Sequence, residues 1–196
     1  FANVIVQSQI NSFGMIATAA FGIRGKIENF GFLPINSFTM ALTTFVGQNI
    51  GKNDIDRARK GTTCALLMSF ASTLFFIVIV MIWAPATVTL LINSEETEVI
   101  RYGALFLRLN GVFFLFACVN QVYCGALRGA GMSQIPMFVM ITSFVFCRQL
   151  YLFLLARFGF NTPVTVALSY PVGWFICSIL IFIYYLWKFP KREMEK

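Results

Sequence analysis

The residues with the clearest chemical potential are charged side chains that fall inside long apolar stretches. Arg24 and Glu28 stand four residues apart, and no further charge follows until Lys52. A spacing of four residues places both side chains on one face of a helix, where they can form an ion pair. Arg108 and Arg148 fall within two later apolar stretches.

An ionisable group at membrane depth is costly and by default indicates a functional site. Glu28 is the only carboxylate away from the ends of a proposed span, so it is the candidate site for a coupling cation or proton. A plainer interpretation also stands: Glu28 compensates an arginine, and the other arginines extend their charged ends toward the membrane surface.

Enzymatic and metal chemistry find little support in the composition. The chain has no histidine, and its five cysteines are scattered through apolar runs without a Cys-x-x-Cys pair. An intramembrane enzyme would need clustered carboxylates or a His/Cys constellation, so we predict no catalytic residue, no metal site and no cofactor other than a coupling Na⁺ or H⁺.

The fold class follows from hydropathy. Apolar residues make up 58% of the chain and charged residues 12%, and a helix needs roughly 20 apolar residues to cross a bilayer. Because lipid offers the backbone no hydrogen bonds, such runs span as helices. The prediction is an all-α integral membrane protein with a partial first helix over residues 1–12 and five full transmembrane helices over about 16–46, 60–84, 97–127, 134–157 and 162–187.

The basic residues predict the orientation. Nine lie in one set of loops (Lys52, Arg57, Arg59, Lys60, Arg128, Lys188, Lys191, Arg192 and Lys196), whereas the opposite set has Arg101 and Arg157 beside Glu95, Glu96 and Glu98. Cytoplasmic loops are enriched in Lys and Arg, so we predict a multi-pass cell-membrane protein with a cytoplasmic C-terminus. Because this charge lies at helix ends rather than in one patch, the predicted partner is the lipid bilayer and not nucleic acid.

One cytoplasmic loop carries a distinct motif. It contains Gly47, Gln48, Asn49, Gly51, Arg57 and Gly61. Without a following Gly-Lys-Ser/Thr, Gly47 and Gly51 are expected to cap a helix and form a tight turn rather than cradle a phosphate. Asp54 or Asp56 is the expected N-cap of the next helix.

This loop resembles a motif of the multidrug and toxic compound extrusion (MATE) transporters. The matching elements are Gly47-Gln48-Asn49-x-Gly51, then Asp56-Arg57 and Gly61, and later Gly125-Ala126-Leu127-Arg128-Gly129-Ala130-Gly131. The family has two six-helix lobes. The resemblance implies that residues 1–196 are the C-terminal MATE lobe, from the end of helix seven through helices eight to twelve, and that its natural partner is an N-terminal lobe of the same protein.

The resemblance implies a secondary active exporter of amphipathic or cationic compounds, working by alternating access in antiport with Na⁺ or H⁺. Some MATE proteins use acidic residues in helices seven and ten, which are absent here, so the coupling acid is either Glu28 or in the other lobe. Candidate cavity or charge-pair residues are Gln7, Asn11, Arg24, Arg108, Asn110, Gln121 and Arg148. The alternative is a lipid-linked oligosaccharide flippase of the same superfamily, with Arg24, Arg108 and Arg148 binding a pyrophosphate.

Overall fold

Six helices form the lobe in a computed structural model that describes residues 2–91, 97–159 and 162–189. Helices α2 to α6 are long and apolar enough to cross a membrane, whereas α1 is too short. Glu95, Glu96 and the tail from Lys191 lie outside the described residues. The helices are α1 (Ala2–Asn11), α2 (Met15–Gly51), α3 (Ile55–Thr89), α4 (Thr97–Gly129), α5 (Gln134–Arg157) and α6 (Pro163–Lys188).

The connection between α2 and α3 is shorter than the sequence suggested. Helix α2 continues through Gly47 to Gly51, so the expectation that these glycines cap a helix and form a turn was wrong for Gly47. Asn53 instead adopts the left-handed conformation, with φ of 59°. The expected N-cap is present, because the side chain of Asp54 accepts a hydrogen bond from the backbone N–H of Arg57.

Three of the long helices contain an irregularity. Helix α3 was expected to stop before Pro85 but continues to Thr89, with a kink at Trp83, where φ is −107° and ψ is 23°. Proline removes one backbone donor and crowds the preceding turn, so it bends this helix without ending it. Residues Thr142–Cys147 of α5 form a π-helical segment, and α6 is interrupted at Leu168.

Glycines hold α2 and α4 close together on the side of the lobe where α6 ends, here called the C-terminal side. A Cβ at Gly129 would lie 2.5 Å from the carbonyl oxygen of Thr43, and one at Gly47 would lie 3.3 Å from the carbonyl oxygen of Gly129. The hydroxyl of Thr43 donates to the carbonyl of Gly125 at 3.1 Å. Small residues with this spacing let membrane helices approach closely, so Gly47, Gly125 and Gly129 serve in helix packing.

The lobe packs around α4, which contacts α2, α3 and α6. Its outer faces differ in polarity. Between Leu67 and Trp83 the exposed side chains of α3 are apolar, including Leu74 and Phe75. The exposed face of α2 is mixed and carries Asn29, Asn36, Ser37, Thr44 and Gln48. Because lipid disfavours polar groups, the α3 face is suited to lipid and the α2 face to protein or water.

Candidate functional site

Arg24 and Glu28 form a buried ion pair in the first half of α2. Nη2 of Arg24 lies 3.5 Å from Oε2 of Glu28, and the two residues are only 2% and 7% exposed. The pair therefore forms as their spacing predicts, and it points into the lobe rather than toward lipid. Burying either charge without a partner would be very costly. Each of the two therefore depends on its contact with the other to remain buried.

A second buried cation lies close to this pair. Arg148 of α5 is 3% exposed, and its Nη2 donates to Oδ1 of Asn3 in α1 at 2.8 Å. The guanidinium groups of Arg24 and Arg148 both contact the ring of Tyr170, at 4.5 Å and 4.8 Å from its centroid. Arg24 also lies 4.1 Å from the centre of the Phe21 ring. These cation–π contacts hold two like charges near each other on an aromatic support.

Polar atoms around the pair have unused hydrogen-bonding capacity. In the described residues, Oε1 of Glu28 and both polar side-chain atoms of Asn110 lack a hydrogen-bond partner, although the amide of Asn110 faces the carboxyl. Nε and Nη1 of Arg24 and Nε of Arg148 are also unpaired. Buried polar groups without partners are uncommon, and in a native structure such a cluster indicates a site for water, an ion or a ligand.

These charges line an open cavity of about 620 Å³. The volume is in the range of small-molecule sites. Two guanidinium groups and one carboxylate give the lining a formal charge of +1. The remaining walls are largely aromatic, and the other lining residues are Gly25, Asn29, Phe32, Phe144, Val145 and Trp174.

The π-helical segment of α5 helps to shape this cavity. It contains Phe144 and Val145 and ends directly before Arg148. A Cβ at Gly173 would lie 2.9 Å from the Phe144 ring, so a glycine at this position lets the ring pack against α6. Inserted π turns are frequent at functional sites because they change the direction of neighbouring side chains.

Three of the seven candidate cavity residues lie at this site: Arg24, Arg148 and Asn110. Arg108 is exposed on another face of α4, and Gln121 is half-buried further along that helix, outside the cavity lining. Gln7 donates to Asn11 at 2.9 Å within α1, away from the cavity. The three arginines that the flippase alternative requires therefore do not converge on one cavity.

The loop motif has structural roles at the C-terminal side. Asn49 is buried, and its side chain donates to the carbonyl of Phe45 at 2.7 Å. Its own carbonyl accepts from Asp54 at 2.8 Å, which closes the α2–α3 turn. Gln48 is exposed, and no side chain or backbone outside its own helix would crowd a Cβ at Gly51. No residue of the motif lines the cavity that holds the buried charges.

Sequence reasoning missed the aromatic walls of the cavity. Tyr170 and Trp174 lie four residues apart in the first half of α6, and Phe32 and Phe144 come from two other helices. With 23 Phe in the chain, no local signal separates these rings from those that face lipid. The spacing of Tyr170 and Trp174 was a signal for a shared face, but it does not say which face.

Helices that are long enough to span a membrane surround a charged, open cavity, an arrangement that membrane transporters commonly have. The MatE family model matches residues 1–154, and the chain belongs to this family, the MATE transporters. It is 22% identical over its whole length to the probable multidrug resistance protein YoeA of Bacillus subtilis, of which it covers 42%. It is 24% identical over 95% of its length to a probable multidrug resistance protein NorM of Mannheimia succiniciproducens, of which it covers 40%.

Solved structures of the MOP superfamily share the fold. An outward-facing MATE transporter superposes with a TM-score of 0.89 at 17% identity, and an inward-facing one with 0.82, also at 17% identity. A transporter from Pyrococcus furiosus, described as having a binding pocket of reversed polarity, gives 0.88 at 18% identity. Each comparison covers 96% of this chain and 42% to 44% of the other. The chain thus spans less than half the length of the relatives it matches.

Proposed function

We propose that this lobe is part of a secondary active exporter that moves amphipathic, often cationic compounds out of the cell in exchange for Na⁺ or H⁺. Membership of the MATE family and the curated multidrug resistance relatives support the transport class. The observation that carries the proposal is the buried Arg24–Glu28 pair inside an open cavity.

Glu28 is the proposed coupling group. Its carboxylate has one oxygen near Arg24 and one without a partner, and it is faced by the amide of Asn110. A proton or Na⁺ bound at Glu28 would compete with Arg24 for the same negative charge, and the guanidinium would be released. A cation gradient would then change the charge that the cavity presents to its substrate, which is the requirement for coupling.

The aromatic walls are the proposed substrate contacts. Phe32 and Trp174 have ring centroids 6.2 Å apart and both line the cavity. Such surfaces bind flat apolar compounds and organic cations. Because this half of the cavity carries two guanidinium groups and one carboxylate, a cationic substrate would need a further carboxylate from outside the described residues.

The proposed source of that carboxylate is a second lobe of the same protein. The cavity is open, the curated relatives are more than twice as long as the chain, and the exposed face of α2 carries polar side chains along its length. Alternating access would then be a rocking of the two lobes around the cavity. The basic residues at the C-terminal side support a cytoplasmic location for that side in the cell membrane.

The test is efflux of a fluorescent organic cation from vesicles that contain the complete transporter, under an imposed Na⁺ or H⁺ gradient. Wild type is compared with Glu28→Gln, which keeps the shape of the side chain but removes its charge. The matched control is Glu98→Gln, because Glu98 also pairs with an arginine, Arg101 at 3.8 Å, but in an exposed position.

Gradient-driven efflux that is lost in Glu28→Gln and retained in Glu98→Gln is the expected result. Efflux that survives in Glu28→Gln would make this residue a structural partner of Arg24 and would place coupling elsewhere in the protein. No efflux from wild type under either gradient would contradict the proposed export.

A further inference from the structure

An apolar groove of about 530 Å³ lies between α2 and α3 on the C-terminal side of the lobe. Phe38 and Phe45 of α2 form one wall, and Ala65 and Met68 of α3 form part of the other. A Cβ at Gly61 would collide with the Phe45 ring, so the glycine allows this ring to lie flat along the wall. The groove shares no residue with the charged cavity described above.

Two cations stand at one end of the groove. Arg57 and Lys60 lie three residues apart in the first turns of α3, line the groove and are both exposed. The guanidinium of Arg57 lies 5.8 Å from the centre of the Phe45 ring, which holds it over the apolar wall. The described part of the chain gives neither cation a carboxylate partner. An apolar groove with two cations at one end is complementary to an anionic amphiphile.

The dimensions of the groove match one leaflet of a bilayer. From Arg57 to Met68 is eleven residues, or about 16 Å along the axis of α3 at 1.5 Å per residue. This is roughly half of the 30 Å hydrocarbon core. The cations therefore lie at headgroup level when Met68 lies near the centre of the membrane.

The groove and the cavity share no lining residue and are centred on different faces of α2. Phe32, which lines the cavity, and Phe38, which lines the groove, are six residues apart and so project about a third of a turn apart on α2. On the α3 side the neighbouring exposed residues are apolar, with Leu67 65% exposed and Leu74 54% exposed. An uncharged outer surface of this kind is suited to lipid.

From this geometry we infer that the groove is a binding site for one anionic phospholipid. One acyl chain lies along Phe45 and Ala65, and the lipid phosphate contacts Arg57 and Lys60. The ligand is a lipid rather than a soluble phosphate because the groove continues past the two cations for half the thickness of the membrane.

The test uses the protein in nanodiscs that contain phosphatidylglycerol and phosphatidylcholine, followed by native mass spectrometry of the lipids that remain bound. The preference for phosphatidylglycerol should fall about thirtyfold in Arg57→Gln/Lys60→Gln, because one basic residue near a membrane surface changes lipid affinity by roughly fivefold. Lys52→Gln/Lys188→Gln is the control, since it removes the same charge from exposed positions on the same side, outside the groove.

A second variant tests the apolar part. Ala65→Phe fills the groove and leaves both cations in place, so it should also lose the tightly bound phosphatidylglycerol. Retention of the lipid in this variant would overturn the acyl-chain site. Equal binding of phosphatidylcholine by wild type, or an equal loss in the Lys52/Lys188 control, would overturn anionic selectivity and leave only a general surface attraction. Because Arg57 and Lys60 are exposed, we expect their substitution to leave the packing of the helices in place, apart from the contact of Arg57 with the Phe45 ring.

Discussion

At the scale of single residues, Arg24 and Glu28 show how a buried charge pair restricts substitution. Each is more than nine-tenths buried, and each has atoms without hydrogen-bond partners in the described residues. An apolar pair of similar volume would avoid this burial cost. Stability alone therefore does not account for the charges at this position.

We expect Arg24→Leu alone to destabilise the protein by about 3 kcal/mol or more, because Glu28 would remain buried without its partner. The double variant Arg24→Leu/Glu28→Leu should recover most of that loss but not restore transport. Thermal unfolding in detergent measures the first effect, and vesicle efflux measures the second. A double variant that is no more stable than Arg24→Leu would mean that the two charges do not interact energetically.

At the scale of helices, the α2–α4 crossing depends on the absence of side chains. Gly129 has the carbonyl oxygen of Thr43 at 2.5 Å and Cβ of Val46 at 2.9 Å from the position of a Cβ. One of these neighbours belongs to the backbone, which cannot move without displacing the whole of α2. The crossing lies on the C-terminal side, and it joins the same two helices that carry Glu28 and Asn110.

Gly129→Ala should therefore destabilise the lobe by about 1–3 kcal/mol, the usual effect of an overpacked contact. Gly51→Ala is the matched control, since it lies in the same region, has ordinary helical φ and would meet no neighbour. Alanine is the better helix former, so this control should be neutral or slightly stabilising. Equal unfolding temperatures for the two variants would mean that the crossing can relax.

At the scale of the whole molecule, the surface of the lobe has an apolar face on α3, which is suited to lipid, and a mixed face on α2 that carries polar side chains. Cysteine substitution can distinguish them. In the complete transporter, Asn36→Cys should react with a membrane-impermeant thiol reagent in a way that changes with substrate or gradient, because that face borders the proposed second lobe. Leu74→Cys, which is exposed on α3, should remain unreactive, since a thiol in lipid does not ionise.

The same division predicts the behaviour of the lobe by itself. Chain 1–196 alone in detergent should self-associate through its polar α2 face or be less stable than the complete transporter. Size-exclusion chromatography with light scattering measures this. A stable monomer under all detergent conditions would count against a second lobe as its natural partner.

Much of the fold could be predicted from the sequence. The lack of charge from Gly61 to Ser94 required α3 to be a membrane helix, and the spacing of Arg24 and Glu28 required a shared face. The ends of the helices were harder to predict from the sequence. Pro85 was expected to end α3, but the stability of a long apolar helix in a packed lobe exceeds the cost of one kink. Gly47 was expected to be a cap because sequence alone does not show the close approach of α4.

Hydropathy, charge spacing and backbone hydrogen bonding in lipid are properties of single segments, so they are enough to predict a helical membrane protein with charges inside its spans. Which of those charges meet depends on how the helices pack. Arg108 lies on the surface, whereas Arg148, forty residues later, approaches Arg24 and shares Tyr170 with it. The rotation of α4 and of α5 about their own axes decides which of these arginines faces the cavity. That rotation depends on packing against other helices and, in α5, on the π-helical segment Thr142–Cys147. Because the packing partners are distant in sequence, no single stretch of the chain predicts it.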